Sequence, residues 1–394
     1  MNIQFTFPTY VSDGAEGITI NIASLKAALE RRGVTVTARW PTVRLVQLNS
    51  KVTHVIKGIS ALSHLRAGLT ADLDVLHFHT AIPSHSVLAL VARGLAPRST
   101  RPMVGQLWNP FVEDEDLASS HSFKEAFFHR ALNGPALASL GFGSFSAIIV
   151  SSRYQESQLR KVGYRGPVHL IPNGVDLDRF RPPRGDEQLL ERAALGLPPN
   201  GLLVGYYGHL TPWKGVLHLV RGFGEVAAAV PEASLVIART GYGTEEPMLR
   251  EEIRRLGIAD RVVFLGKLDA ASFTRACDIG TVPATAAVGT AVFANVLLEW
   301  MASGRPTIAT GIGTTSEVIS DGKDGLLVPA ANATALGQAV FKLLTDSALR
   351  VAIGQAGRET AVRRFNWDHI AHATLEVYEA LVGAAEVTSA PRVA

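Results

Sequence analysis

Short apolar runs alternate with amphipathic stretches along almost the whole chain, and that alternation leaves few folds open. A strand buried on both faces reads as a continuous apolar run, and a helix laid over it shows one apolar face. In the first half the expected strands are Ile3–Phe7, Val34–Trp40, Val75–His79, Met103–Leu107, Ala147–Ser151 and Val168–Ile171. Expected helices are Gly17–Arg32, Ser84–Arg93, Phe123–Leu132 and Arg153–Val162. The second half restarts the pattern, with strands at Leu202–Tyr207, Ser234–Ala238, Val262–Leu265, Ile279–Pro283, Thr307–Ala309 and Gly325–Val328. Its expected helices are Val216–Ala229, Glu246–Leu256, Ala270–Ala276, Phe293–Ser303, Thr315–Ser320, Ala335–Leu344 and Ser347–Arg364. The fold class is therefore α/β, with two Rossmann-like, doubly wound parallel-sheet domains facing each other across an interdomain cleft.

The 394 residues fit two such domains. Between the two series, residues 176–201 carry Pro182, Pro183, Pro198 and Pro199 and read as a linker. The expected division is 1–175 for the acceptor-side domain and 202–364 for the donor-binding domain. A helix over 365–383 crosses back to the first domain, and a loose tail follows over 384–394.

Composition narrows the function. A net charge of +3 does not describe a polycation seeking nucleic acid. The stretch from Arg39 to Arg66 is nonetheless basic, with Arg44, Lys51 and Lys57 between. It reads either as a solvated surface or as a face for an anionic substrate or a weak contact with an anionic membrane. A single cysteine, Cys277, excludes an internal disulfide. The start MNIQFTFPTY lacks the basic and apolar parts of a signal peptide, and the apolar window Gly134–Val150 is broken by glycines and serines. A cytoplasmic protein is the expectation.

Four segments carry chemistry. Tyr206–Gly215 leads from a strand into a helix through glycines, with Lys214 at the turn. Backbone amides at such a turn approach a phosphate, and a lysine adds positive charge. In Val288–Gly304, Gly289 and Thr290 precede a helix, and Glu299 stands about two turns in among apolar neighbours. A carboxylate there needs a partner or a ligand, and it can accept from both hydroxyls of a ribose. Ile171-Pro-Asn-Gly-Val-Asp176 is a turn at the end of the first domain, and Asp13–Gly17 is a small-residue turn after the first strand. Gly-x-Gly-x-x-Gly is missing there, which counts against a dinucleotide cofactor. His77 and His79 alternate along one strand and share a face. Without nearby cysteine or carboxylate, that pair suits the lining of a substrate cleft better than a metal site, and no metal is expected.

Taken in order, these segments resemble the retaining GT-B glycosyltransferases of family 4. Ile171–Asp176 with Phe180 and Pro182, Gly208–Gly215, Leu297–Pro306, Gly311–Pro329 and Phe365-Asn-Trp-Asp368 each look like a family segment, in the family's order. The resemblance implies a nucleotide diphosphate sugar as donor, with UDP or GDP the first candidates, and no cofactor. It implies that Lys214 binds the diphosphate and acts in catalysis, with His209 beside it. Gly17 presents its backbone to the phosphates, and amides near Thr290 and Ala291 cap them. Glu299 holds the ribose, and Lys267 and Leu268 border the nucleobase.

Departures from the family pattern fall on the sugar side. The family carries two glutamates eight positions apart, and Ala291 stands at the first. His209 replaces an arginine. The stretch Val104–Pro110 looks like a segment that carries a histidine beside the sugar, and Trp108 stands there instead. The sugar and acceptor pocket is thus expected around Trp108, His79, Gly289 and Ala291. Two readings follow: a transferase rebuilt for an unusual sugar and a small-molecule acceptor, as in natural-product biosynthesis, or a non-catalytic nucleotide-sugar-binding relative. A membrane-peripheral enzyme acting on a lipid or glycan acceptor is the alternative within the enzyme class. Oligomeric state is left open. Ala291→Glu is expected to weaken use of the native donor sugar more than binding of the bare nucleoside diphosphate. Equal losses in paired binding measurements would remove Ala291 from the sugar pocket.

Overall fold

The computed structural model describes residues 1–6, 17–39, 73–80, 91, 93–94, 101–108, 141–286 and 295–389. The chain divides into two compact units, one comprising Met1–Pro172 with Trp367–Ala394 and the other Asn173–Asn366. The expected helix Phe123–Leu132, most of Ser84–Arg93 and the basic stretch beyond Arg39 lie outside the described residues.

In the first unit six strands form one sheet in the order β2-β1-β3-β4-β5-β6. They are β1 (Asn2–Thr6), β2 (Thr35–Arg39), β3 (Val75–Thr80), β4 (Met103–Leu107), β5 (Ala147–Val150) and β6 (Val168–Leu170). Every pairing is parallel. The helices described between them are α1 (Gly17–Arg31) and α2 (Arg153–Lys161). Helix α2 starts where the Ser152 side chain accepts from the Gln155 amide at 3.2 Å, satisfying an otherwise orphaned donor. The strands β4 and β5 are buried from end to end, as strands covered on both faces must be.

The second unit repeats the plan with β7 (Leu202–Leu210), β8 (Ala233–Gly243), β9 (Val262–Leu265), β10 (Ile279–Val282), β11 (Thr307–Thr310) and β12 (Leu326–Val328). Its sheet order is β12-β11-β10-β7-β8-β9, again all parallel. Its helices are α3 (Glu187–Ala194), α4 (Val216–Val226), α5 (Glu246–Arg255), α6 (Ala270–Ala276), α7 (Asn295–Ala302), α8 (Thr315–Val318), α9 (Ala333–Thr345) and α10 (Ser347–Arg364). The first strand of the unit, β7, sits beside the fourth, β10. The chain therefore winds outward in one direction from β7 and in the other from β10, which makes a topological switch point between them.

Two expectations change. Residues 176–201 are not a plain linker: they contain α3, fastened to the second unit by buried Arg192. Its guanidinium reaches Asp278 Oδ2 at 2.6 Å and the Ala276 carbonyl at 2.9 Å. The prolines bracket this helix rather than interrupt it. The final helix, α11 (Trp367–Ser389), runs past Gly383 into the stretch read as a loose tail. A single glycine costs a helix only about 1 kcal/mol, and the alanines and Glu386 after it are good helix formers.

Helix α11 belongs to the first unit and packs along α1, where Arg31 pairs with Asp368 at 2.8 Å. Deeper in, the Tyr378 hydroxyl meets His77 Nδ1 on β3. His77 and His79 stack at 4.3 Å between ring centroids, both fully enclosed. Burial pushes His77 down to about 3, and burial followed by the neighbouring His77 pushes His79 well below the usual imidazole range. Both rings are neutral in the fold, whereas the unfolded chain protonates them near 6.5. Stability is therefore complete above about 6.5 and declines as pH falls toward about 3. Thermal unfolding should show this acid loss, and His77→Leu, although less stable at neutral pH, should show a shallower one.

Candidate functional site

Ligands of open α/β sheets sit beyond the carboxyl ends of the strands, at the switch point. In the second unit that place lies past β7 and β10, and Lys214 is there. Strand β7 loses register between Gly208 and Leu210, so His209 stands at an irregularity of the kind that re-aims a side chain. A single 3₁₀ turn, Pro212–Lys214, follows and ends on Gly215 at φ +70°. That residue must be glycine on two counts. Its backbone is left-handed, and a Cβ would lie 1.9 Å from the Pro283 carbonyl oxygen just past β10. Thr285 completes the junction: its amide donates to the Trp213 carbonyl and its hydroxyl to the Pro212 carbonyl, each at 3.0 Å. Lys214 is half-buried, and burial lowers its pKa. An anion arriving beside it would oppose that shift.

Glu299 lies on α7, in the crossover from β10 to β11, and is half-buried. Its Oε2 accepts from the hydroxyl of Tyr207 on β7. Burial pushes Glu299 up to about 6, against the opposing pull of the Tyr207 hydrogen bond and of the Arg179 guanidinium. Arg179 itself is set by the turn after Asp176, whose carboxylate accepts from the Arg179 amide at 3.0 Å. The guanidinium then pairs with Asp269 at 2.6 Å. Asp269 also caps α6, accepting from the Ser272 amide at 2.8 Å, which fixes the loop carrying Lys267 and Leu268. Tyr207, Glu299, Arg179 and the Lys267–Leu268 loop thus form one polar neighbourhood. Gly289, Thr290 and Ala291 lie outside the described residues.

The remaining candidates belong to the first unit. Gly17 opens α1. His79 and Trp108 are both buried at the carboxyl ends of β3 and β4, and the Trp108 indole N–H donates to His79 Nδ1 at 3.0 Å. That bond leaves the His79 proton on Nε2. Among the described residues, no group of three histidine, cysteine or carboxylate side chains is placed to hold a metal ion.

A profile described as "Glycosyltransferase Family 4" matches residues 15–179, and one described as "Glycosyl transferases group 1" matches residues 201–346. A GDP-mannose-dependent alpha-(1-6)-phosphatidylinositol monomannoside mannosyltransferase of Mycobacterium tuberculosis is 30% identical over 76% of this chain and 74% of that protein. The chain belongs to glycosyltransferase family 4. A D-inositol 3-phosphate glycosyltransferase of Stackebrandtia nassauensis is 33% identical over 59% of this chain and 54% of its own length. The chain thus spans about half the length of that relative. The crystal structure of Anabaena HepE in complex with UDP has the same fold, with a TM-score of 0.73 at 20% identity over 96% of this chain and all of that one.

Two members of the polar neighbourhood around Glu299 escaped the sequence reading. Arg179 gave no signal, because its partner Asp269 is 90 residues away. Tyr207 did give one. Successive tyrosines in a buried strand point to opposite faces, and each buried hydroxyl needs its own acceptor. The Tyr206 hydroxyl takes the His209 carbonyl at 2.6 Å, and that of Tyr207 takes Glu299.

A carboxyl raised from 4.5 to about 6 favours the fold below about 4.5, and that advantage is lost as pH rises through about 6. At neutral pH the ionised Glu299 therefore costs stability. Glu299→Gln, which still offers Tyr207 an acceptor, should melt a few degrees higher than the parent at pH 7.5, a gain on the order of 1 kcal/mol. The two should converge near pH 4.5. An unchanged or lower melting temperature at pH 7.5 would mean that the carboxylate is not strained by its burial.

Proposed function

We propose that this chain is a retaining glycosyltransferase that moves a hexose-type sugar from a nucleoside diphosphate to a hydroxyl of a phosphate-bearing acceptor. One observation carries the reading: Lys214 stands on the glycine turn at the β7–β10 switch point, with the Tyr207-bound Glu299 reached from the same strand. A positive charge suits the diphosphate and a paired carboxylate suits the ribose. Charge separates in the transition state between an oxocarbenium-like sugar and the leaving diphosphate. Lys214, with the amides of its turn and with His209, would stabilise the leaving group. The diphosphate oxygen released in that step can take the acceptor proton, so the chain needs no separate base.

The two relatives described above are named for GDP-mannose, phosphatidylinositol mannoside and inositol phosphate. Their acceptors are built on inositol, and the present proposal follows them in place of the natural-product acceptor expected from the sequence. The basic stretch from Arg39 to Arg66 supports a phosphate on the acceptor, whether free or on a lipid headgroup.

Thermal shift with UDP, GDP and their sugars identifies the base. Release of nucleoside diphosphate is then followed with inositol 3-phosphate and with phosphatidylinositol mannoside in vesicles. Turnover with either supports the proposal, and the responding acceptor tells a soluble substrate from a lipid one. Binding of a donor without turnover on any acceptor leaves a binding protein. Lys214→Ala should weaken both the nucleotide and the donor by roughly 1.5–3 kcal/mol, as for a lost charge-assisted contact.

A further inference from the structure

We propose that Tyr207 is a positioning residue that dictates how Glu299 meets the nucleotide, by occupying Oε2 and leaving Oε1 as the face offered to the ribose. The inference rests on the reading of Glu299 as the ribose acceptor and adds the group that aims it.

Four observations support it. Tyr207 lies within the β7 ladder, opposite Ala238 of β8, so its Cα is fixed by the sheet. The side chain is only 4% exposed. Its ring is held edge-on by Trp300 at 5.4 Å and by Phe273 at 5.8 Å between centroids. Trp300 is itself confined, because it fills the space beside Gly205 and Gly280, where a Cβ would come within 2.7 and 2.3 Å of its ring. Rotation of the tyrosine is blocked, and the direction of its hydroxyl is set by the packing of the core. That hydroxyl has one hydrogen bond among the described residues, to Glu299.

Without this bond the ionised carboxylate would lose one of the two groups that stabilise its charge. The Arg179 guanidinium acts on Glu299 from the turn after Asp176, and Asp269 acts on it from the cap of α6. Arg179 is occupied by Asp269 and Glu299 by Tyr207, so each acid has a separate partner. A half-buried carboxylate whose only hydrogen bond among the described residues is to Oε2 is pre-organised for a hydroxyl donor, which lowers the ordering cost of binding.

Tyr207→Phe tests this by removing the hydroxyl and keeping the ring against Trp300 and Phe273. Among the described residues, the charged groups acting on Glu299 are then Arg179 and Asp269, in addition to its burial. Titration of the Glu299 carboxyl, followed by carbon-13 NMR in ligand-free protein and assigned with Glu299→Gln, should move to higher pH in the variant. UDP and GDP binding, measured by calorimetry from pH 5 to pH 8, should weaken about tenfold at neutral pH, and its acid limb should move upward with the carboxyl. The preference for the ribonucleotide over its 2′- and 3′-deoxy analogues should shrink. Tyr207→Leu, which also removes the ring, separates loss of packing from loss of the hydroxyl, because its melting temperature falls whereas that of Tyr207→Phe stays close to the parent. Unchanged affinity with an unchanged acid limb would overturn the proposal, as would a weakening with no movement of either titration. If the parent protein binds neither UDP nor GDP, the ribose reading of Glu299 fails, and with it the positioning role. A carboxyl titration that still shifts would then mark the hydrogen bond as structural only.

Discussion

The contact of Gly215 with the Pro283 carbonyl is the constraint on which the second unit's site depends. A parallel sheet must send each chain segment back over one face or the other. At the β7–β10 junction the returns diverge, and the ends of two adjacent strands are left without a shared cover. The turn after β7 fits against the turn after β10 only because no Cβ stands between them. Thr285 then ties the two turns with its amide and its hydroxyl. Lys214, one residue before the glycine, is thereby part of a fixed element at the carboxyl ends of the central strands rather than of a wandering surface loop.

Both units carry polar groups deep in their sheets, and they treat them in opposite ways. In the first, His77 and His79 are sealed, neutral, and hydrogen-bonded to Tyr378 and Trp108. Burial there favours the uncharged ring, and the fold keeps it. In the second, Glu299 is raised only to about 6, so at neutral pH it stays ionised in surroundings that favour the acid form. The Tyr207 hydroxyl and the nearby guanidinium offset part of that cost. A site that binds a polyhydroxylated ligand needs an acceptor that is not yet satisfied, and such an acceptor is a local liability until the ligand arrives.

Much of the architecture was legible in the sequence, because the signal that encodes it is local. The expected strands Met103–Leu107 and Val262–Leu265 match β4 and β9, and the expected helix Ser347–Arg364 matches α10. Each is a run whose apolar pattern alone selects its conformation. Helix α3 was not legible. Half of its eight residues are polar, flanking prolines suggest a linker, and its anchor is the bond from Arg192 to Asp278, 86 positions away. The extension of β7 to Leu210 was hidden for a related reason, since it depends on pairing with Gly243 beyond an irregularity.

The candidate site divides along the same line. Lys214 before a glycine at a strand-to-helix turn, and an acid among apolar residues on a helix, are short-range patterns, and the sequence by itself marked them as candidates for an anion and for a hydroxylated ligand. It also determined the doubly wound class and the family. Only the tertiary structure decided that Tyr207 faces Glu299, that Arg179 is held by Asp269, and that His79 and Trp108 are bonded to each other inside the sheet. Those pairings join residues from separate strands, helices and loops, and a side chain's partner across a sheet follows from strand order and register, which no local pattern encodes.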